Sequence, residues 1–189
     1  ASKLHVPIAH VEAGLRSFNM RMPEEINRVL TDRIATRLYC PTEIAAKQLR
    51  QEGYPDEAIH QVGDVMYDAA LFYGSLAEQD PWSRKESAAP EVPFILATIH
   101  RAENTDNTLR LAAIVDGLCL LSQEHTIVLP LHPRTKAALE TYGQLKLLQN
   151  LENLELIEPV GFLEMIQLER QAKAILTDSG GIQKEAYFH

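Results

Sequence analysis

The feature of this 189-residue chain that most limits its fold is an alternation of short, unbroken apolar runs with amphipathic stretches. The runs at residues 5–11, 37–40, 59–62, 94–99, 126–131, 154–157 and 174–176 read as strands. Phe94-Ile95-Leu96-Ala97-Thr98-Ile99 lacks polar alternation, the pattern of a strand covered on both faces. Between the runs lie helical patterns. Ile26, Val29, Leu30 and Ile34 mark the expected apolar face of a helix that starts at Pro23. Thr42 is placed to cap the next helix and Gly53 to end it. Leu109, Ala112, Ala113, Asp116 and Leu120 give a third helix its expected face. Repeated strand–helix units specify α/β architecture with parallel sheets.

The stretch 75–93, rich in charged and small residues and carrying Pro81, Pro90 and Pro93, reads as a loop or a connector into a second sheet. A boundary near Gly63-Asp64 divides the chain into 1–64 and 65–189. Both ends look cut. The chain has no initiator methionine, and Tyr187-Phe188-His189 falls inside a helix that begins near Ser179 and carries no stop signal. A piece of a longer protein is the expectation.

A formal net charge of -8 argues against a nucleic-acid partner, although a local site can still bind phosphate through backbone amides. Cys40 and Cys119 sit among apolar neighbours with no metal-ligand spacing, which reads as two buried thiols in a reducing cytosol. No apolar run approaches the roughly 18 residues that span a bilayer, and residues 1–5 are not a signal peptide, so the expected location is cytoplasmic, with no membrane partner.

Several strand ends carry polar residues with chemical potential. Thr177-Asp178-Ser179-Gly180-Gly181-Ile182-Gln183-Lys184-Glu185 follows a strand and opens a helix, an arrangement that offers free amides to an anion. Ser179 can add its hydroxyl, Gly180 and Gly181 permit close backbone approach, and Glu185 can accept from ribose hydroxyls. The same residues would also make a plain Ser-capped helix. At 98–104, Thr-Ile-His-Arg-Ala-Glu-Asn ends the strongest strand, placing His100 and Arg101 where ligands of open α/β sheets bind. His132-Pro133-Arg134 repeats the theme after the next strand, so two strand ends each present a His and an Arg. Near the start, His10-Val11-Glu12-Ala13-Gly14-Leu15-Arg16-Ser17 follows a strand, and Pro23-Glu24-Glu25 opens a helix. Adjacent helical residues point about 100° apart, so one of Glu24 and Glu25 faces a site. Glu24 with Arg28 also fits an i,i+4 pair.

In order and at fitting separations, HVEAGLRS (10–17), MPEEINR (22–28), PTE (41–43), TIHRAEN (98–104), PLHPRT (130–135) and TDSGGIQKEA (177–186) resemble the non-hydrolysing UDP-N-acetylglucosamine 2-epimerases. The resemblance implies a GT-B-like pair of Rossmann-like domains, both incomplete in this chain, and a homodimer when full length. It implies C2 inversion of a UDP-sugar by elimination of UDP across C1–C2, through 2-acetamidoglucal, and re-addition, for surface polysaccharide precursors. By motif position it implies Glu12, Glu24 and His100 as catalytic residues, and Ser179, Gly180, Gly181 and Glu185 as UDP-binding residues. Arg101 and His132 become cleft contacts. No metal or organic cofactor is implied.

The chain departs from the family pattern in places. A family aspartate in a Gly-Asp-Thr stretch would lie before Ala1, Lys184 stands where many members have a second glutamate, and 18–22 lacks a Tyr-Ser-Pro-Trp-Pro-like sequence. The last departure leaves room for a relative acting on a UDP-2,3-diacetamido uronic acid. A GT-B glycosyltransferase and a silent UDP-sugar-binding module are the alternatives outside the epimerases.

Overall fold

Each apolar run becomes a strand of one of two parallel sheets in a computed structural model that describes residues 1–79, 90 and 92–189. The chain forms two compact units, Ala1–Asp68 and Ala69–His189. In the first, β1 (Ala9–Val11), β2 (Arg37–Cys40) and β3 (Ile59–Gln61) pair in that order. They alternate with α1 (Pro23–Ile34) and α2 (Glu43–Gln51). β1 is shorter than its apolar run. Ser2–Leu4 forms a 3-10 turn, His5 takes a left-handed φ of 52°, and Pro7 has no amide to offer a ladder. Thr42 caps α2 by accepting from the Ala45 amide at 3.2 Å, and Gly53 turns the chain out of it at φ 84°. The core of this unit is Ala13, Leu38, Cys40, Ala45, Ala46, Leu49 and Ile59.

α1 does not bury the face its apolar residues suggest. Ile26, Leu30 and Ile34 are exposed, whereas Glu25 and Asp32 are its buried residues. The inward face of α1 is polar because it meets the loop after β1 and satisfies that loop's donors.

α3 (Val65–Gln79) follows β3, so Ser75 to Gln79 finishes a helix instead of opening a loop. Of the rest of the connector expected from the sequence, residues 80–89 and 91 lie outside the described residues. The second sheet, in order β6-β5-β4-β7, consists of β4 (Phe94–Thr98), β5 (Thr126–Pro130), β6 (Leu154–Ile157) and β7 (Ala174–Thr177). Its helices are α4 (Ala102–Thr105), α5 (Thr108–Leu121), α6 (Pro133–Thr141), α7 (Leu145–Gln149), α8 (Phe162–Gln171) and α9 (Gly180–Phe188).

β4 is covered on both sides, as its unbroken apolar run requires. Ala97 and Ile99 pack with Leu111, Val115, Leu118 and Leu139 on one face, while Phe94 and Leu96 pack with Val128 and Leu168 on the other. Each fully buried leucine contributes about 1.5–3 kcal/mol. The packed face of α5 is Leu111-Val115-Leu118, and Leu109 and Leu120 point outward. The expected face was wrong because α5 is apolar on nearly every side, so spacing alone does not select one. Among the described residues no helix is long and apolar enough to cross a membrane.

Candidate functional site

The second unit ties its strand ends together through one carboxylate. β4 and β7 are parallel neighbours with Thr98 beside Thr177, and the two hydroxyls hydrogen-bond at 2.6 Å. Just past them, Asp178 meets the turn after β4. Its carboxylate accepts from the His100 amide at 3.1 and 3.2 Å, the Arg101 amide at 3.0 Å and Asn104 Nδ2 at 2.9 Å. His100 Nδ1 lies 3.2 Å from the same carboxylate, and Arg101 Nε donates to the Asp178 carbonyl at 2.6 Å. Burial works to raise the Asp178 carboxyl, but the donors from Asn104, Arg101 and His100 outweigh it and hold it below its ordinary value. An ionised Asp178 therefore fixes the turn that carries His100.

His132 caps α6, its Nδ1 accepting from the Arg134 amide at 3.2 Å. A neutral His132 then carries its proton on Nε2. The His100 and His132 rings stand 5.9 Å apart, centroid to centroid. They line a cleft of about 290 Å³ with Thr98, Val160, Met165, Ser179 and Ile182, outside the carboxyl ends of β4, β5 and β7. Arg134 does not join them; it is taken up by Asp106 at 2.7 Å and Thr105 at 3.1 Å.

Ser179 is the N-cap of α9, accepting from the Ile182 amide at 3.4 Å, and its own amide is bound to Thr177 Oγ1 at 2.9 Å. The first-turn amides beyond it have no intrahelical acceptor, and the helix dipole favours an anion there. A Cβ at Gly180 would meet only Arg101 Nη2, at an ordinary 3.5 Å, so the fold itself does not demand glycine at this exposed position. Gly181 follows, half-buried, in the same first turn. Farther along α9, Glu185 is half-buried, and burial raises its pKa.

In the first unit the loop after β1 is held by two buried carboxylates of α1. Glu25, 1% exposed, accepts from the amides of Ser17 and Phe18 at 2.9–3.0 Å and from Arg28 Nη1 at 2.8 Å. Burial pushes the Glu25 carboxyl up, yet those amides, the Ser17 hydroxyl and Arg28 bring it below its ordinary value. Arg28 thus pairs with Glu25 rather than with Glu24, and Glu24 is left on the exposed side of the first turn. Asp32, with no exposure, takes His10 Nδ1 at 2.5 Å, the Gly14 amide at 3.2 Å and Arg16 Nη1 at 2.7 Å. Arg16 reaches on to Glu52 through Nε at 2.8 Å and Nη2 at 2.7 Å. Burial opposes the Arg16 charge, but Glu52 and Asp32 together hold its pKa above the ordinary value. Glu12 sits within this loop at a left-handed φ of 63°, a conformation that disfavours a non-glycine residue by about 1–2 kcal/mol.

Comparison with known proteins adds the family. The sequence pattern of the UDP-N-acetylglucosamine 2-epimerases matches residues 1–189. The chain belongs to the UDP-N-acetylglucosamine 2-epimerase family. It is 53% identical to the UDP-2,3-diacetamido-2,3-dideoxy-D-glucuronate 2-epimerase of Pseudomonas aeruginosa, with all of this chain and 51% of that protein aligned. It is 46% identical to the UDP-N-acetylglucosamine 2-epimerase of Methanocaldococcus jannaschii over 98% of this chain and 52% of that one. A crystal structure of the Methanocaldococcus jannaschii UDP-GlcNAc 2-epimerase in complex with UDP-GlcNAc and UDP superposes with a TM-score of 0.91 at 45% identity. All of this chain and 52% of that one are covered. The chain thus spans about half the length of the relatives it matches, and its α/β fold is that of their GT-B-like architecture.

Of the residues singled out from sequence, His100, Arg101, His132, Ser179, Gly180 and Gly181 meet around the strand ends of the second unit. Glu185 lies farther along α9, and Glu12 and Glu24 belong to the first unit. Sequence reasoning gave no role to Asp178 or Asp32, and held Glu25 only as one of two adjacent carboxylates of which one faces a site. Asp178 had a usable signal, a short acid between a strand and a Ser cap. Asp32 lies in the last turn of α1, and only the packing of α1 on the β1 loop distinguishes it.

Proposed function

We propose that the full-length protein containing this chain inverts C2 of UDP-GlcNAc to give UDP-ManNAc. The observation that carries this reading is the cleft in which His100 and His132 stand beside the Ser179-Gly180-Gly181 helix start. A diphosphate can rest on those amides with Arg101 near Gly180, while an imidazole handles a proton at the sugar. The C2 hydrogen has no adjacent carbonyl to acidify it. Elimination avoids that difficulty: a base takes the C2 proton, the C1–O electron pair leaves with UDP, and 2-acetamidoglucal forms. UDP then re-adds at C1 as a proton arrives at the opposite face of C2. Glu12, Glu24 and His100 are the proposed proton-handling groups. Arg101, His132, Ser179, Gly180, Gly181 and Glu185 are the proposed contacts to the UDP-sugar.

In this reading residues 1–64 supply the later part of an N-terminal Rossmann-like domain, and 65–189 the first half of a UDP-binding one. The full-length enzyme is a cytoplasmic homodimer that feeds surface polysaccharide synthesis, and the isolated 189-residue chain lacks turnover. Proton NMR of UDP-GlcNAc in D2O tests the proposal. UDP-ManNAc deuterated at C2 is the expected product with full-length protein, and none with the isolated chain. A second reading, a UDP-2,3-diacetamido uronic acid as substrate, draws support from the 53% identity to the Pseudomonas aeruginosa enzyme. Exchange with that sugar nucleotide and none with UDP-GlcNAc replaces the first reading with the second.

A further inference from the structure

Asp32 grips the chain on both sides of Glu12. Its carboxylate holds His10, two residues before, and the Gly14 amide and Arg16, two and four residues after. Each point is itself locked. His10 lies in β1, hydrogen-bonded in register with Leu38 of β2. The Ala13 amide donates to the Tyr39 carbonyl at 3.0 Å. Gly14, at φ 79°, presses so close to α2 that a Cβ would stand 2.4 Å from the Ala45 carbonyl oxygen. Arg16 is clamped by Glu52. Between these fixed points Glu12 has little freedom except the left-handed turn it adopts. A strained residue held by its surroundings is the mark of a preorganised site.

We propose that Asp32 is a positioning residue for Glu12: it fixes the turn that aims the Glu12 carboxylate for proton transfer. The inference rests on the assignment of Glu12 as a proton-handling group. Asp32 suits this task because a carboxylate accepts on both oxygens, at His10 on one side and at Gly14 and Arg16 on the other. Asparagine has one acceptor: kept on Gly14 and Arg16, it leaves only an amide donor toward His10, which the ring meets by accepting on Nδ1. Asp32→Asn therefore replaces the carboxylate's hold with the weaker contacts of a neutral amide on both sides of the turn.

The test is a double-mutant cycle in full-length protein, read by C2 deuterium exchange. Asp32→Asn alone is expected to lower kcat about 100-fold, the scale of a misplaced catalytic group, with KM little changed. In a Glu12→Gln background the same change is expected to have no further effect, because nothing remains to be aimed. Full, independent losses in the double variant overturn the role of Asp32 while leaving Glu12 its assignment. An active Glu12→Gln single variant overturns the Glu12 assignment and this inference with it. If Asp32→Asn is not recovered folded, His10→Gln, which loosens one end of the same grip, is carried through the cycle with the same outcomes.

Discussion

Replacing Glu169 by glutamine isolates what it takes to charge a carboxyl in a packed interior. Glu169 lies on α8, which packs against α9, and is 4% exposed. Neither of its side-chain oxygens has a hydrogen-bond partner among the described residues. Burial, with a smaller contribution from the Glu185 carboxylate, pushes its pKa from the ordinary 4.5 up to about 8. The folded protein therefore keeps a proton that the unfolded chain gives up as pH rises through 4.5. Stability is lost progressively from there and stops falling above about pH 8. Linkage with these two pKa values gives a loss of about 2 kcal/mol at pH 6 and about 4 kcal/mol at pH 8. Glutamine has the same shape and no charge to lose. Its stability relative to the parent should therefore rise by about 2 kcal/mol between pH 6 and pH 8, whatever its fixed cost. For a domain of this size that is a relative gain of about 4–8 °C in Tm. Thermal melts of both proteins across that range read the difference directly. A difference that is flat with pH, or that grows toward acid, would refute a protonated, unpartnered Glu169.

Three further outcomes follow from the same structure. Gly14→Ala adds a Cβ against the Ala45 carbonyl at φ 79° and should destabilise by about 2–4 kcal/mol in urea unfolding; a loss under about 0.5 kcal/mol contradicts the close approach. Glu25→Gln removes a carboxylate whose pKa is lowered in the fold, so its deficit of about 1–3 kcal/mol should be full at neutral pH. That deficit should shrink as pH falls below 4.5, and urea melts at pH 7 and pH 4 that show a constant deficit count against an ionised anchor. Gly180→Ala meets only ordinary contact with Arg101 and should leave Tm within about 2 °C while weakening UDP binding by calorimetry at least about tenfold, and unchanged affinity removes Gly180 from the phosphate site.

The candidate site was legible in part because strand ends are legible. His100, His132 and Ser179 each follow an apolar run, and a parallel sheet brings the carboxyl ends of its strands to one edge. Residues far apart in sequence therefore needed no contact information to be grouped. Arg134 shows the limit of that logic, since its position matches Arg101 but its guanidinium is claimed by Asp106. Nothing in the local sequence says which arginine is spent on structure.

Local chemistry, by contrast, was sufficient for much of the frame. The Thr42 cap, the Gly53 stop and the Ser179 helix start arise from forces acting within a few residues, and the unbroken apolar run of Phe94–Thr98 marks a strand that must be covered on both faces. These features depend on backbone hydrogen bonding and side-chain period, which a single sequence carries. The inward face of α1 does not. Its apolar residues Ile26, Leu30 and Ile34 remain exposed while Glu25 and Asp32 go inside, because β1 and the loop after it bring an imidazole, amides and an arginine that need acceptors. That decision belongs to tertiary structure: the free energy of burying a carboxylate depends on donors that only the folded neighbours supply.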